Sequence, residues 1–140
     1  IVVTNPAAKT HRTNLYNSLQ HGEVILYVRR RLAIRYQVFT DDNFHYTDEN
    51  EREEGNVYYS AQEALSEAKR IVDKSLRWER VQSRDPNDPD ELYDRYTDFG
   101  EDPFIRSEDP NCKFSAWEYA KGRCETIVKE NINDKNLYDF

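Results

Sequence analysis

From Val24 onward the even positions read Val24, Leu26, Val28, Arg30, Leu32, Ile34, Tyr36 and Val38, while the odd positions from 29 to 37 read Arg, Arg, Ala, Arg, Gln. Period-two alternation with one wet face is the pattern of a strand lying on an apolar layer. Residues 24–39 are long for one strand, so a bend, bulge or turn near Arg29–Arg31 is expected, giving two. Asp41-Asp42-Asn43 follows as a turn cluster, after which Phe44 and Tyr46 keep the even parity. A three-residue loop with Asn43 in the left-handed conformation sets Val38 opposite Tyr46 in a hairpin. Residues 48–55 read as an acidic loop ending at Gly55, and Val57-Tyr58-Tyr59 as a short closing strand.

The helices announce themselves by their caps. Ser60-Ala61-Gln62-Glu63 is a capping box, with Tyr59 and Ala64 at the staple positions. Ala61, Ala64, Leu65, Ala68, Val72 and Leu76 continue it at a 3.6 period, predicting a helix over 60–80. Asp88-Pro89-Asp90-Glu91 starts a second helix over 89–99, which Gly100 ends. Glu101 to Ile105 reads as a turn into a short extended piece. Phe114-Ser115-Ala116-Trp117-Glu118 repeats the device of Tyr59 to Glu63 and opens a third helix over 115–132. A one-residue shift further along, where Ala68 to Val72 echoes Cys124 to Val128, favours two helices capped alike over an internal duplication.

These elements predict an α+β fold: a small antiparallel sheet from 24–59 packed on helix 60–80, with two further helices completing the second layer. The expected organisation is an N-terminal extension with a short helix (1–22), one α+β domain (23–132) and a polar tail (133–140). Leu, Ile, Val and Phe supply 30 of 140 residues, a thin core that ten Tyr and two Trp reinforce. With a mean hydropathy of −1.01 and no apolar run of 18 residues, no membrane span is expected. No basic-then-apolar leader opens the chain, and Cys112 and Cys124 form no metal or redox spacing; both favour reduced thiols in a cytoplasmic setting over the alternative of a Cys112–Cys124 disulfide.

Charge is uneven. Residues 1–40 hold six bases and one acid, whereas residues 41–140 hold 26 acids and 14 bases. The simplest reading is internal complementarity, the basic segment lying against acidic neighbours, and the overall acidity makes broad nucleic-acid binding an unpromising role. Arg29, Arg31 and Arg35, flanked by Tyr27 and Tyr36, remain a candidate anion or nucleic-acid strip. His45, beside an acidic turn, is the candidate general acid or base of a small hydrolase, although no nucleophile is identifiable by spacing. The acid-rich stretch 41–54 lacks the ligand spacing of a calcium loop. Phosphate-loop, dinucleotide, zinc-protease and serine-hydrolase signatures are missing too, so neither cofactor nor metal is expected. The aromatics at element junctions, among them Tyr46, Phe99, Phe104 and Trp117, are candidates for a protein-binding surface.

The segments Asp42-Asn43-Phe44-His45-Tyr46-Thr47-Asp48-Glu49, Phe99-Gly100-Glu101-Asp102-Pro103-Phe104-Ile105 and Phe114-Ser115-Ala116-Trp117-Glu118-Tyr119-Ala120 resemble a family of small bacterial proteins of unknown function, as do Tyr59 to Ala64 and Glu91 to Tyr93. The resemblance spans about residues 34–130 and implies a bacterial, cytoplasmic origin; it transfers no activity or site residue. Taken together, these features favour a non-enzymatic protein-interaction or regulatory module, its partner another protein or a second copy. The alternatives are a nucleic-acid-associated module at Arg29–Arg35 and, third, a hydrolase at His45.

Overall fold

Alternation does make a strand, and among the described residues it starts at Tyr36 and runs three residues past the expected end at 39. β1 (Tyr36–Asp42) buries Tyr36 and Val38 and turns Gln37 and Phe39 to the other face. The computed structural model describes residues 33–140; the expected N-terminal helix, the strand signal before residue 33, and Arg29 and Arg31 lie outside the described residues. Asp41 and Asp42, expected in a turn, are still strand, because both pair with β3 (Glu101–Ser107) through Asp102 and Glu101. The chain then leaves the sheet at 43–52, which includes one 3-10 turn at Glu49–Glu51, and returns as β2 (Glu53–Tyr58). Val38 therefore does not face Tyr46: its partner on β3 is Ile105, and Tyr36 pairs with Tyr58 of β2. Gly55, expected to end a loop, sits inside β2.

The position of Gly55 has a steric cause. The ladder takes two steps from Gln37 to Phe39, but three from Val57 to Glu54, so β2 carries one extra residue there. A Cβ on Gly55 would lie 2.7 Å from the carbonyl oxygen of Val38, a distance only glycine avoids. The sheet is three-stranded and antiparallel in the order β2-β1-β3, so the central strand is the first described one. β3 is the short extended piece expected after Gly100, but it starts at Glu101 without a turn and runs on to Ser107; Pro103 and two leading acids disguise its full length. Pro103 is tolerated because β3 is an edge strand.

Among the described residues, three helices longer than one turn form the second layer. α1 (Ala61–Gln82) is capped by Ser60, whose Oγ accepts the amide of Glu63 at 3.4 Å. α2 (Pro89–Phe99) is capped by Asp88 with Pro89 at its first position, as its sequence requires. α3 (Ala116–Ile127) is capped by Ser115, which accepts the amide of Glu118 at 3.3 Å. α3 ends five residues before the expected boundary at 132. The twin caps are thus both used, although Tyr59 is half exposed and closes no staple.

α1 serves two apolar clusters at once. Near its start Ala64 packs with Tyr36 and Val38 of the sheet, joined by Ile71 and Ile105. Further along, Val72 and Leu76 pack with Leu92 and Tyr96 of α2 and with Ala116, Ala120, Cys124 and Ile127 of α3. Leu76, Leu92 and Ile127 are almost fully buried, each contributing about 1.5–3 kcal/mol. Cys112 and Cys124 are both free and belong to different clusters.

Residues 133–140, expected as a polar tail, are anchored at two points. α4 (Lys135–Tyr138) places the hydroxyl of Tyr138 on the guanidinium of buried Arg80, and Phe140 stands edge-on to Trp78 at 5.3 Å. No helix among the described residues is long and apolar enough to cross a membrane.

Candidate functional site

The turn after β1 is built on Asn43. It is 7% exposed, and its backbone amide donates to the carbonyl of Gly100 at 2.9 Å. Its side-chain amide donates to the carbonyl of Tyr96 at 2.9 Å, and its Oδ1 accepts the indole N–H of Trp117 at 3.1 Å. One side chain thereby ties the end of β1 to the end of α2 and the start of α3. A buried amide engaged at both its nitrogen and its oxygen fixes geometry, because each lost bond would strand a polar group. Asn43 is thus an anchor rather than the left-handed residue of the turn; the positive φ, 73°, falls on Thr47. Threonine is a rare occupant of that conformation.

Around this anchor the aromatics gather. Phe44 stacks on Phe99 with centroids 5.9 Å apart, and Tyr46 leans on Trp117 at 6.5 Å. All four stay open, at 64%, 67%, 47% and 39% for Phe44, Tyr46, Phe99 and Trp117. Aromatic rings left this open are not core, yet each is held by a neighbour. Gly100 supports the arrangement from below, since a Cβ there would fall 2.4 Å from the ring of Tyr96.

His45 belongs to the same turn. Its Nδ1 lies 2.8 Å from Oδ2 of Asp42, and its ring stands edge-on to Phe44 at 4.9 Å. The hydrogen bond to Asp42 raises the pKa of His45 above its ordinary value, with the charges of Asp42, Glu51 and Asp48 adding to the effect against desolvation. Asp42 also accepts the amide of Phe44 at 2.8 Å, which fixes the carboxylate. This is a histidine–carboxylate pair on a solvent-facing turn; among the described residues, no serine, threonine or cysteine is hydrogen-bonded to the ring.

Of the residues singled out by sequence, Tyr46, His45, Phe99 and Trp117 converge here. Phe104 does not. It lies on the outer face of the sheet, stacked on Phe39 at 5.5 Å, with Arg52 4.9 Å over its ring and Arg106 4.7 Å over Phe39. Arg52 also grips Asp41 through two hydrogen bonds of 2.6 and 3.0 Å. That face has its rings covered by its own guanidiniums. Arg35 is exposed just before β1, and Arg29 and Arg31 lie outside the described residues, so the strip is seen at one position alone. No group of three or more metal-binding side chains converges among the described residues.

Beside the patch, and sharing Phe99 with it, lies a cleft of about 430 Å³. Asp42, Glu51, Glu53, Glu79 and Glu101 line it together with Lys74, Trp78 and Phe140. Glu79 is buried and its carboxylate accepts a hydrogen bond from the guanidinium of Arg95 at 2.9 Å. Desolvation in the cleft, then the neighbouring Glu53, raises the pKa of Glu101. Phe44 and Asn43 carry no mark of this role in sequence: one continues the apolar parity of a strand, the other has the character of a turn former. The run Asn43 to Tyr46, a turn residue followed by aromatics at alternate positions, was the available signal.

Compared with known proteins, the chain matches no family model, no curated protein and no solved structure.

Proposed function

We propose that this domain is a non-enzymatic protein-interaction module that binds a segment of another protein on the patch formed by Phe44, Tyr46, Phe99 and Trp117. The observation that carries this reading is the pinning of exposed rings around buried Asn43. Rigid aromatics present large contact area with little ordering cost on binding, which is the usual character of interface anchors. A second copy is a poorer occupant. Residues 41–54 hold seven acids and one base, so two copies joined patch to patch would bring like charges together.

A photo-reactive residue placed at Tyr46, and separately at Arg84 as a remote exposed control, tests the reading in the native cell. The expected result is one discrete partner captured from position 46 and not from 84. The purified partner should then bind the Phe44→Ser/Tyr46→Ser double variant at least tenfold more weakly, with the variant's melting temperature nearly unchanged. Equal capture at both positions, or equal affinity of the double variant, overturns it.

A further inference from the structure

We infer that the occupant is a basic and apolar segment, its apolar side chains seated on the Phe44–Phe99 and Tyr46–Trp117 rings and an arginine or lysine entering the adjoining cleft. This inference rests on the interaction reading above and names the chemistry of the partner.

Three observations meet at the same place. Phe99 is common to both surfaces: it stacks on Phe44 on the patch side and lines the cleft. A single extended segment crossing Phe99 therefore touches rings and carboxylates in turn. The cleft carries Asp42, Glu51, Glu53, Glu79 and Glu101 against one lining base, Lys74. Asp42 is spoken for by His45 and Glu79 by Arg95, whereas no described base lies within ion-pair distance of Glu51, Glu53 or Glu101. The third observation is the wall: Trp78, 48% exposed, and Phe140, 48% exposed, stand in the cleft with ring surface open to a cation. Over the whole chain the balance is 27 acids to 20 bases, a net charge of −7, so a basic segment is also drawn towards this molecule from a distance.

The occupant could instead be uncharged and apolar, or a second copy. An uncharged segment would leave the mutual repulsion of Glu53 and Glu101 unrelieved, and a second copy would add to it.

Three blocked twelve-residue peptides test the inference on the full-length protein. One alternates Leu and Arg, one alternates Leu and Glu, and one alternates Ser and Arg. Binding is read by ¹⁵N chemical-shift changes and by tryptophan fluorescence. The Leu/Arg peptide is expected to bind, with shifts at 43–48, Phe99 and the Trp78 and Trp117 indoles, and to lose affinity as salt rises. The Leu/Glu peptide is expected to bind at least tenfold more weakly, and the Ser/Arg peptide likewise. The Glu51→Gln/Glu53→Gln/Glu101→Gln variant should bind the Leu/Arg peptide about tenfold more weakly and with a flatter salt dependence. Equal binding of the Leu/Arg and Leu/Glu peptides at the patch overturns the basic partner and leaves the interaction module standing. Binding of the Leu/Arg peptide with no shifts at 43–48 overturns both. Concentration-dependent dimerisation abolished by Phe44→Ser, with no peptide bound, also overturns the inference in favour of a second copy.

Discussion

Arg80 is 3% exposed and has no carboxylate partner among the described residues. Its guanidinium donates instead to the carbonyls of Pro86 at 2.7 Å, Ile127 at 3.0 Å, Val128 at 2.7 Å and Glu130 at 2.9 Å, and to the hydroxyl of Tyr138. Three of those carbonyls belong to the last turn of α3 and the residues just beyond, which hold the negative end of the helix dipole and contain no base in their own last turn. A base from α1 supplies what α3 lacks. Arg80→Met keeps the stem volume and removes every donor. Hydrogen bonds to a charged group are worth about 1.5–3 kcal/mol each, and buried carbonyls left unpaired cost about 1–3 kcal/mol each before relaxation. Water reaching the carbonyls returns part of this, and removal of one partner from a buried polar cluster settles at about 3–5 kcal/mol. With about 2.1 cal/mol/K of unfolding entropy per residue over roughly 105 residues, that lowers Tm by about 14–23 °C. Arg80→Lys retains the charge but not the planar fork, and should lose roughly half as much. Thermal and urea unfolding followed by circular dichroism measure both. A loss below about 1 kcal/mol for Arg80→Met, or Lys performing as well as Arg, would refute the account of Arg80 as the cap of α3.

Further expectations concern the turn and the sheet. Because its folded pKa is raised, His45 contributes stability that is complete below about pH 6.5 and fades as pH rises through the raised value; Asp42→Asn should return the His45 titration to the ordinary range in a proton NMR pH series. Asp102 behaves oppositely to most native carboxyls: burial, then the charge of Asp41, pushes its pKa up from 3.8 to about 6, so its contribution to stability falls as pH rises from about 4 to 6. Asp102→Asn should therefore raise Tm more at pH 7 than at pH 4, and an equal shift at both would contradict this. Thr47→Asn, at φ 73°, should stabilise the fold by about 0.5–1 kcal/mol in urea unfolding while leaving the shifts of Phe99 and Trp117 in place.

Local chemistry was readable wherever a residue acts on its sequence neighbours. Ser60, Asp88 and Ser115 reach amides two or three positions on, so the starts of three helices could be read directly. The hairpin register could not, because Phe44 and Tyr46 prolong the apolar parity of β1 after the strand has ended at Asp42. Their rings serve the patch and not the core, and alternation does not distinguish those two uses. β3 and α4 are held by distant partners, β1 in one case and Arg80 in the other, and so left little local trace. Tyr46, His45, Phe99 and Trp117 stood out as residues, but Asn43, which gathers them, draws together chain positions 53 and 74 residues away.

The placement of β1 at the centre of the sheet has a consequence for the nascent chain. Its two neighbours arrive at different times: β2 begins 11 residues after β1 ends, whereas β3 begins at residue 101. Until synthesis passes Ser107, the hairpin carries an open hydrogen-bonding edge on the strand destined to be innermost. At about 5–20 residues per second that interval lasts several seconds, in which the ribosome, a chaperone or an unwanted strand is the company that edge keeps.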